Sequence, residues 1–223
     1  MATSSVVAPQ VLEDPLAHLP VSTILEYRKG QTIYDQNQPS TGLCLIIEGK
    51  VKVFCLSDGG HPVVVDIYQT DDFFGECALL RSAHSGEHAV ALEKTKLMTW
   101  SSAEMEDIVL KRPKFAVALM QILVQRNLEF GQRIVSFATD NIARRLARSL
   151  LRFSERLGAT APDGSVQMAA FTHELLSQYV GTSREIVTHY MNEFRRKGYL
   201  RYSRKGIVLY ANAFKEWLRQ DSM

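Results

Sequence analysis

Between about Leu19 and Trp100, apolar and polar positions follow the two-residue period of strands. The clearest runs are LCLIIEGKVKVFCL (43–56), VVVDIY (63–68), HAVALE (88–93) and KLMTW (96–100), broken by Gly30, Gly42, Gly49, Asp58-Gly59-Gly60 and Gly75. Short strands at regular spacing with glycine turns predict an antiparallel barrel or jelly roll. The period then changes. From Ala103 to Asp140 the pattern is helical, and Ala116, Leu119, Leu123, Arg126, Phe130, Ile134 and Phe137 recur three and four residues apart. A break is expected at the Arg112-Pro113 step, because proline disfavours helical backbone in the residue before it. A helix about 25 residues long needs a partner for such a stripe. The same helix of a second subunit is expected to supply it; the chain's own barrel is the alternative.

After Asp140-Asn141 a second helix, IARRLARSLLRFSERLG, places Ile142, Leu146, Leu150 and Phe153 on one face. Arg145, Arg148, Arg152 and Arg156 surround the other, which reads as a solvated face whose first members approach a DNA backbone. Gly158–Gly164 is a turn-rich loop, and Ser165–Phe171 reads as a short strand. The segment THELLSQYVGTSREIVTHYMNEF (172–194) then reads as two short helices around a turn. Thr172 caps the first, and Leu175, Leu176, Tyr179 and Val180 supply its apolar side. Gly181 turns the chain at little steric cost. Thr182 is expected to cap the second helix, with Glu185 completing a capping box. That helix has two faces. Val187, Tyr190, Met191 and Phe194 lie on one, while Arg184, Glu185, Thr188, His189 and Asn192 lie on the other.

A row of hydrogen-bonding side chains near a helix N-terminus is what reading base edges in the major groove requires. An ordinary helical hairpin with a polar outer face would share that pattern, and the flanks separate the two. Arg195-Arg196-Lys197-Gly198 ends the helix on positive charge and a glycine. YLRYSRKGIVLY follows as a hairpin with the basic tip Ser203-Arg204-Lys205-Gly206, a wing able to lie along phosphates. Arg184, Glu185, Thr188 and His189 are therefore expected at bases. Thr172, Thr182, Ser183, Arg204 and Lys205 are expected at the backbone.

Charge agrees with that division. Residues 1–140 hold twelve Lys/Arg against seventeen Asp/Glu, a net of −5, and residues 141–223 hold fourteen against seven, a net of +7. A basic half suits phosphate attraction. The 223 residues are enough for two cores, and no run of about 18 apolar residues suggests a membrane span. The N-terminus lacks the basic start and apolar stretch of a secretory signal. Cys44, Cys55 and Cys77 are too few and too scattered for a disulfide framework, so a cytoplasmic setting is expected.

A β-roll, a long helix and a C-terminal winged helix, in that order, resemble the Crp/Fnr superfamily of bacterial transcription regulators over about residues 18–215. The most specific parts are GTSREIVTHYMNEFRRKGYL, the wing, and Asp72-Phe73-Phe74-Gly75-Glu76. The resemblance implies an α+β fold with five segments. These are a mobile stretch (1–17), a cyclic-nucleotide-binding-like sensor roll (18–110), a dimerisation helix (111–140), a winged helix-turn-helix (141–215) and a C-terminal tail (216–223). It implies a homodimer on a near-palindromic double-stranded operator, a small-molecule effector, and RNA polymerase as partner if the protein activates. Base reading falls to Ser183, Arg184 and Glu185. His189 stands where members that bind TGTGA-type half-sites carry a second arginine, so an altered half-site is expected.

The effector positions depart further from that pattern. Gly75-Glu76 match the ribose-binding pair of cyclic-AMP-binding members, but Glu87-His88 stand where an Arg-Ser pair grips the cyclic phosphate. A carboxylate facing phosphate repels it. Phe130-Gly131 replace the Thr-Ser pair that meets the base. The effector is expected not to be cyclic AMP. No resident cofactor is expected, and no catalysis. Three scattered cysteines do not make an iron-sulfur site. A haem-responsive regulator drawing on Cys77, His84 or His88, or a redox-responsive one for which no cysteine is singled out, is the alternative. A metal-dependent jelly-roll enzyme is the rival class; it would need clustered histidines, and the six present include no HxH pair.

Overall fold

The computed structural model describes residues 13–80, 86–203 and 205–220. Twelve strands and six α-helices follow one another among these residues. The first eight strands are β1 (Ile24–Tyr27), β2 (Thr32–Tyr34), β3 (Gly42–Glu48), β4 (Lys50–Leu56), β5 (Pro62–Gln69), β6 (Phe73–Phe74), β7 (Glu87–Ala91) and β8 (Thr95–Ser101). They form two four-stranded sheets, ordered β1-β8-β3-β6 and β2-β7-β4-β5, with every pairing antiparallel. Alternation sends every second side chain inward. Tyr34, Ile46, Val51, Val53, Tyr68, Phe74, Ala89 and Leu97 accordingly share one core. Cys44 belongs to it, whereas Cys55 is only half-buried.

Two helices leave the roll. Ser101 and Glu104 cap α1 (Ser102–Lys111) reciprocally, and Pro113 opens α2 (Pro113–Thr139), so the expected break falls at the expected step. The apolar faces of α2 depart from expectation. Leu119 and Ile122 pack against the chain's own roll residues Leu43, Phe73 and Trp100, in a cluster that also holds Phe115 of α2. Arg126 also turns into the roll. The uncovered stripe lies one position over, at Val117, Met120, Val124, Leu128 and Val135. Only the first part of the expected stripe turns to the roll, where Arg126 meets Glu76; Ile134 and Phe137 of that stripe are exposed along with the neighbouring row.

Helix α3 (Ile142–Leu157), capped by Asn141, begins the second half. Then come β9 (Ala159–Thr160), β10 (Val166–Met168), α4 (His173–Val180), α5 (Arg184–Arg196), β11 (Leu200–Ser203), β12 (Gly206–Leu209) and α6 (Ala211–Gln220). The small sheet runs β11-β12-β10-β9. The tail expected from residue 216 is instead helical through Gln220, because Phe214 and Leu218 on α6 are buried in the core of this half. Of the mobile stretch expected over 1–17, residues 1–12 lie outside the described residues, and Pro15–His18 form a 3-10 turn capped by Asp14.

Of the α3 arginines expected on a solvated face, Arg148 is exposed, but Arg152 and Arg156 turn inward. Asp66 of β5 is only 1% exposed, and both Arg152 and Arg156 reach it. Arg152 donates to Asp66 at 3.0 Å, to Glu129 of α2 at 2.5 Å and to the Tyr179 hydroxyl at 2.9 Å. Arg156 donates to both Asp66 oxygens at 2.9 and 2.8 Å. From α2, Arg133 donates to the carbonyls of Val64, Val65 and Tyr179, and lies 4.0 Å over the Tyr179 ring. Val64 and Ile67 of β5 join the core of the second half. The halves are therefore bolted together by buried charge and a shared apolar patch.

Candidate nucleic-acid interface

The turn between α4 and α5 sets the site. Thr172 caps α4 by accepting from the Leu175 amide at 3.1 Å. Gly181 takes φ +73, a left-handed conformation that costs glycine little. A Cβ there would also stand 3.0 Å from the Phe137 ring. The second cap differs from expectation by one residue. Ser183, not Thr182, accepts from the Ile186 amide at 3.3 Å. The extra residue in the turn lets the Thr182 amide reach back to the Ser177 carbonyl at 3.1 Å. Glu185 thus occupies the second helical position, and the capping box is not formed. Its carboxyl is held below the usual range by its own amide and by the Ser183 hydroxyl, so it is ionised and can only accept.

Val187, Met191 and Phe194 are buried on the inner side of α5. Outside, Arg184, Glu185 and His189 are exposed. Thr188, expected at a base, and Asn192 of the same polar face are already engaged. Thr188 donates to the Arg184 carbonyl at 2.9 Å and meets His173 Nδ1 at 2.7 Å. Asn192 accepts from the Tyr202 hydroxyl at 3.0 Å. His189 lies edge-on to Tyr190, with Nε2 3.9 Å from Glu193. Gly198, at φ +74, ends α5 after Arg195, Arg196 and Lys197, all exposed. In the wing Lys205 is exposed and its amide bonds the Ser203 hydroxyl, while Arg204 lies outside the described residues.

The residues expected at an effector are divided between two sides of a sheet. Gly75 turns at φ +81 where a Cβ would meet Ser40 Oγ at 2.8 Å. Glu76 pairs with Arg126 at 2.7 Å, and that guanidinium also bonds the Phe73 carbonyl and lies 4.7 Å over the Tyr68 ring. Glu87 accepts from the Cys77 thiol at 3.3 Å, and burial pushes its carboxyl up. His88, next along β7, stacks on Phe54 at 5.0 Å. Adjacent strand residues point to opposite faces, so Glu87 and His88 do not grip one ligand together. Cys77 and His88 do not converge as haem ligands for the same reason, and His84 lies outside the described residues. Burial pushes the Cys44 thiol up to about 12, opposite to what a reactive thiolate needs. Phe130 is half-buried on α2. A cavity of about 1070 Å³ opens between α2, α3 and α6, and none of Gly75, Glu76, Glu87, His88 or Phe130 lines it.

Sequence reasoning missed Asp66, Arg133 and the pairing role of Arg126. Each carried a visible signal: a lone carboxylate inside VVVDIY, and cations within or beside an apolar helical stripe. Charges at such positions are rarely tolerated unless paired.

A sensor-like roll, a long helix and a winged helix with an exposed reading face define a DNA-binding transcription regulator. Residues 24–112 match the cyclic nucleotide-binding domain and residues 144–213 the Crp-like helix-turn-helix domain. The chain is 31% identical to the transcriptional regulator SdrP of Thermus thermophilus over 158 residues, 70% of this chain and 73% of that protein. It is 23% identical to a CRP-like cAMP-activated global transcriptional regulator of Mycobacterium tuberculosis over 186 residues, 83% of each. In fold it is similar to FixK2 of Bradyrhizobium japonicum, with a TM-score of 0.75, 20% identity, and 88% and 97% of the two chains covered. The chain belongs to the Crp/Fnr family of transcription regulators. Its relatives are regulators and not enzymes. Among the described residues no helix is long and apolar enough to cross a membrane.

Proposed function

We propose that the protein acts in the cytoplasm as a homodimer on a near-palindromic operator, with its roll tuned to something other than cyclic AMP. The observation that carries the dimer is the uncovered stripe on α2. Val117, Met120, Val124 and Leu128, all exposed, follow one another at steps of three, four and four residues. That is a coiled-coil seam awaiting a second copy. A twofold axis along it would set two α5 helices about 34 Å apart, one per major groove. Arg184 suits guanine O6 and N7, and ionised Glu185 suits the cytosine amine. Lys205 and the caps Thr172 and Ser183 position the phosphates, with Thr182 in the turn between.

Against cyclic AMP stands the arrangement in the roll. The Glu76 carboxylate is already spent on Arg126, and Glu87 presents an acidic group where a phosphate would need a cation. Isothermal calorimetry with millimolar cyclic AMP should give no saturable heat, and operator affinity should stay within about twofold. Saturable binding accompanied by tighter operator affinity would refute this part of the reading. An activator would in addition need a surface for RNA polymerase.

A further inference from the structure

At the edge of the outer face of α5 lies a contact between α4 and α5. His173, the first residue of α4, meets Thr188 of α5 through Nδ1 at 2.7 Å. The Thr188 hydroxyl has a single proton, and it goes to the Arg184 carbonyl at 2.9 Å. Toward His173 the oxygen can only accept, so Nδ1 carries hydrogen and neutral His173 has a bare Nε2. Tyr202 of the wing packs against the ring, with centroids 5.5 Å apart. The ring is thus fixed between α4, α5 and β11. Among the described residues nothing bonds Nε2, and it is not among the buried unpartnered atoms, so it meets solvent.

We propose that His173 is both a positioning residue for α5 and a proton-accepting phosphate contact, which ties operator affinity to pH. This rests on the DNA-binding reading above. Thr188 holds the ring on the side of α5 that carries Arg184, and Nε2 is the only free polar atom of that ring. A phosphate oxygen approaching Nε2 meets a lone pair until the nitrogen takes a proton. It then receives a charge-assisted hydrogen bond.

The groups facing the ring are Arg184 from α5 and Tyr202 from β11, while neighbouring Glu174 is turned to Gln178. Burial and then Arg184 hold His173 below the ordinary histidine range in the free protein. Phosphate acts in the opposite direction. The bound state therefore holds more protons than the free state between the two values, and affinity rises as pH falls through that window. Below the free-state value both states are protonated and the gain stops.

The test is operator affinity at constant salt across about pH 6–8, for wild type and three variants. Wild type should tighten with acidity by up to about tenfold per pH unit per subunit. His173→Asn keeps an N–H near the position of Nδ1 and cannot titrate. It should lose the pH slope, so that its deficit relative to wild type grows as the pH falls. Thr188→Val should weaken binding at all pH values and blunt the slope. His189→Gln controls for the other exposed imidazole and should keep the His173 contribution. A His173→Asn slope equal to that of wild type overturns the proposal. Failure of wild type to bind any operator would instead overturn the DNA-binding reading beneath it.

Discussion

Arg184 carries the largest share of sequence discrimination in this account. It is exposed one residue after the Ser183 cap, at the N-terminus of α5, a position from which a guanidinium would reach a major groove. Arg184→Ala should cost about 1–3 kcal/mol on the operator and relax preference at one base pair. Equal losses on operator and random DNA, read by competition binding, would place it at phosphate instead. At this scale the two faces of α5 could be read from the chain. The alternation of Val187, Met191 and Phe194 with Arg184, Glu185 and His189 needs only helical geometry. What could not be read was who had already claimed Thr188 and Asn192. Their partners, His173 and Tyr202, are fifteen and ten residues away and belong to other elements. The cap moved from Thr182 to Ser183 for a similar reason, since both residues can cap and only the turn geometry chooses.

Helix α2 works on two sides. One row of side chains seals the roll through Leu119, Ile122 and Arg126, and the adjacent row at Val117, Met120, Val124 and Leu128 is bare. A carboxylate placed in the bare row should split the proposed dimer. Leu128→Glu is expected to sediment as a monomer near 25 kDa, with the helix content of the roll half kept. An unchanged dimer mass would show that the subunits meet elsewhere. The existence of a long helix was legible from periodicity, but which of its faces the roll would cover was not. Two apolar rows one residue apart satisfy the same spacing, and Arg126 decides between them by reaching Glu76 at 2.7 Å.

Across the whole molecule, the roll and the winged helix are joined by Asp66 with Arg152 and Arg156. Neither end of this cluster is near the other in sequence, which is why the arginines of α3 read as a solvated face. A carboxylate that is 1% exposed and shared by two guanidinium groups is costly to remove, because the arginines stay behind. Asp66→Ala should lower unfolding free energy by about 3–5 kcal/mol in urea. A loss below about 0.5 kcal/mol, the range of an unremarkable surface site, would mean that the cluster does not hold the halves together. The central claim, that the outer side of α5 reads duplex sequence, is tested most directly by exposing purified full-length protein to a randomised double-stranded pool at modest salt. Enrichment of a motif with two inverted halves spaced about one helical turn is the predicted result; recovery of a pool no different from the input would contradict it.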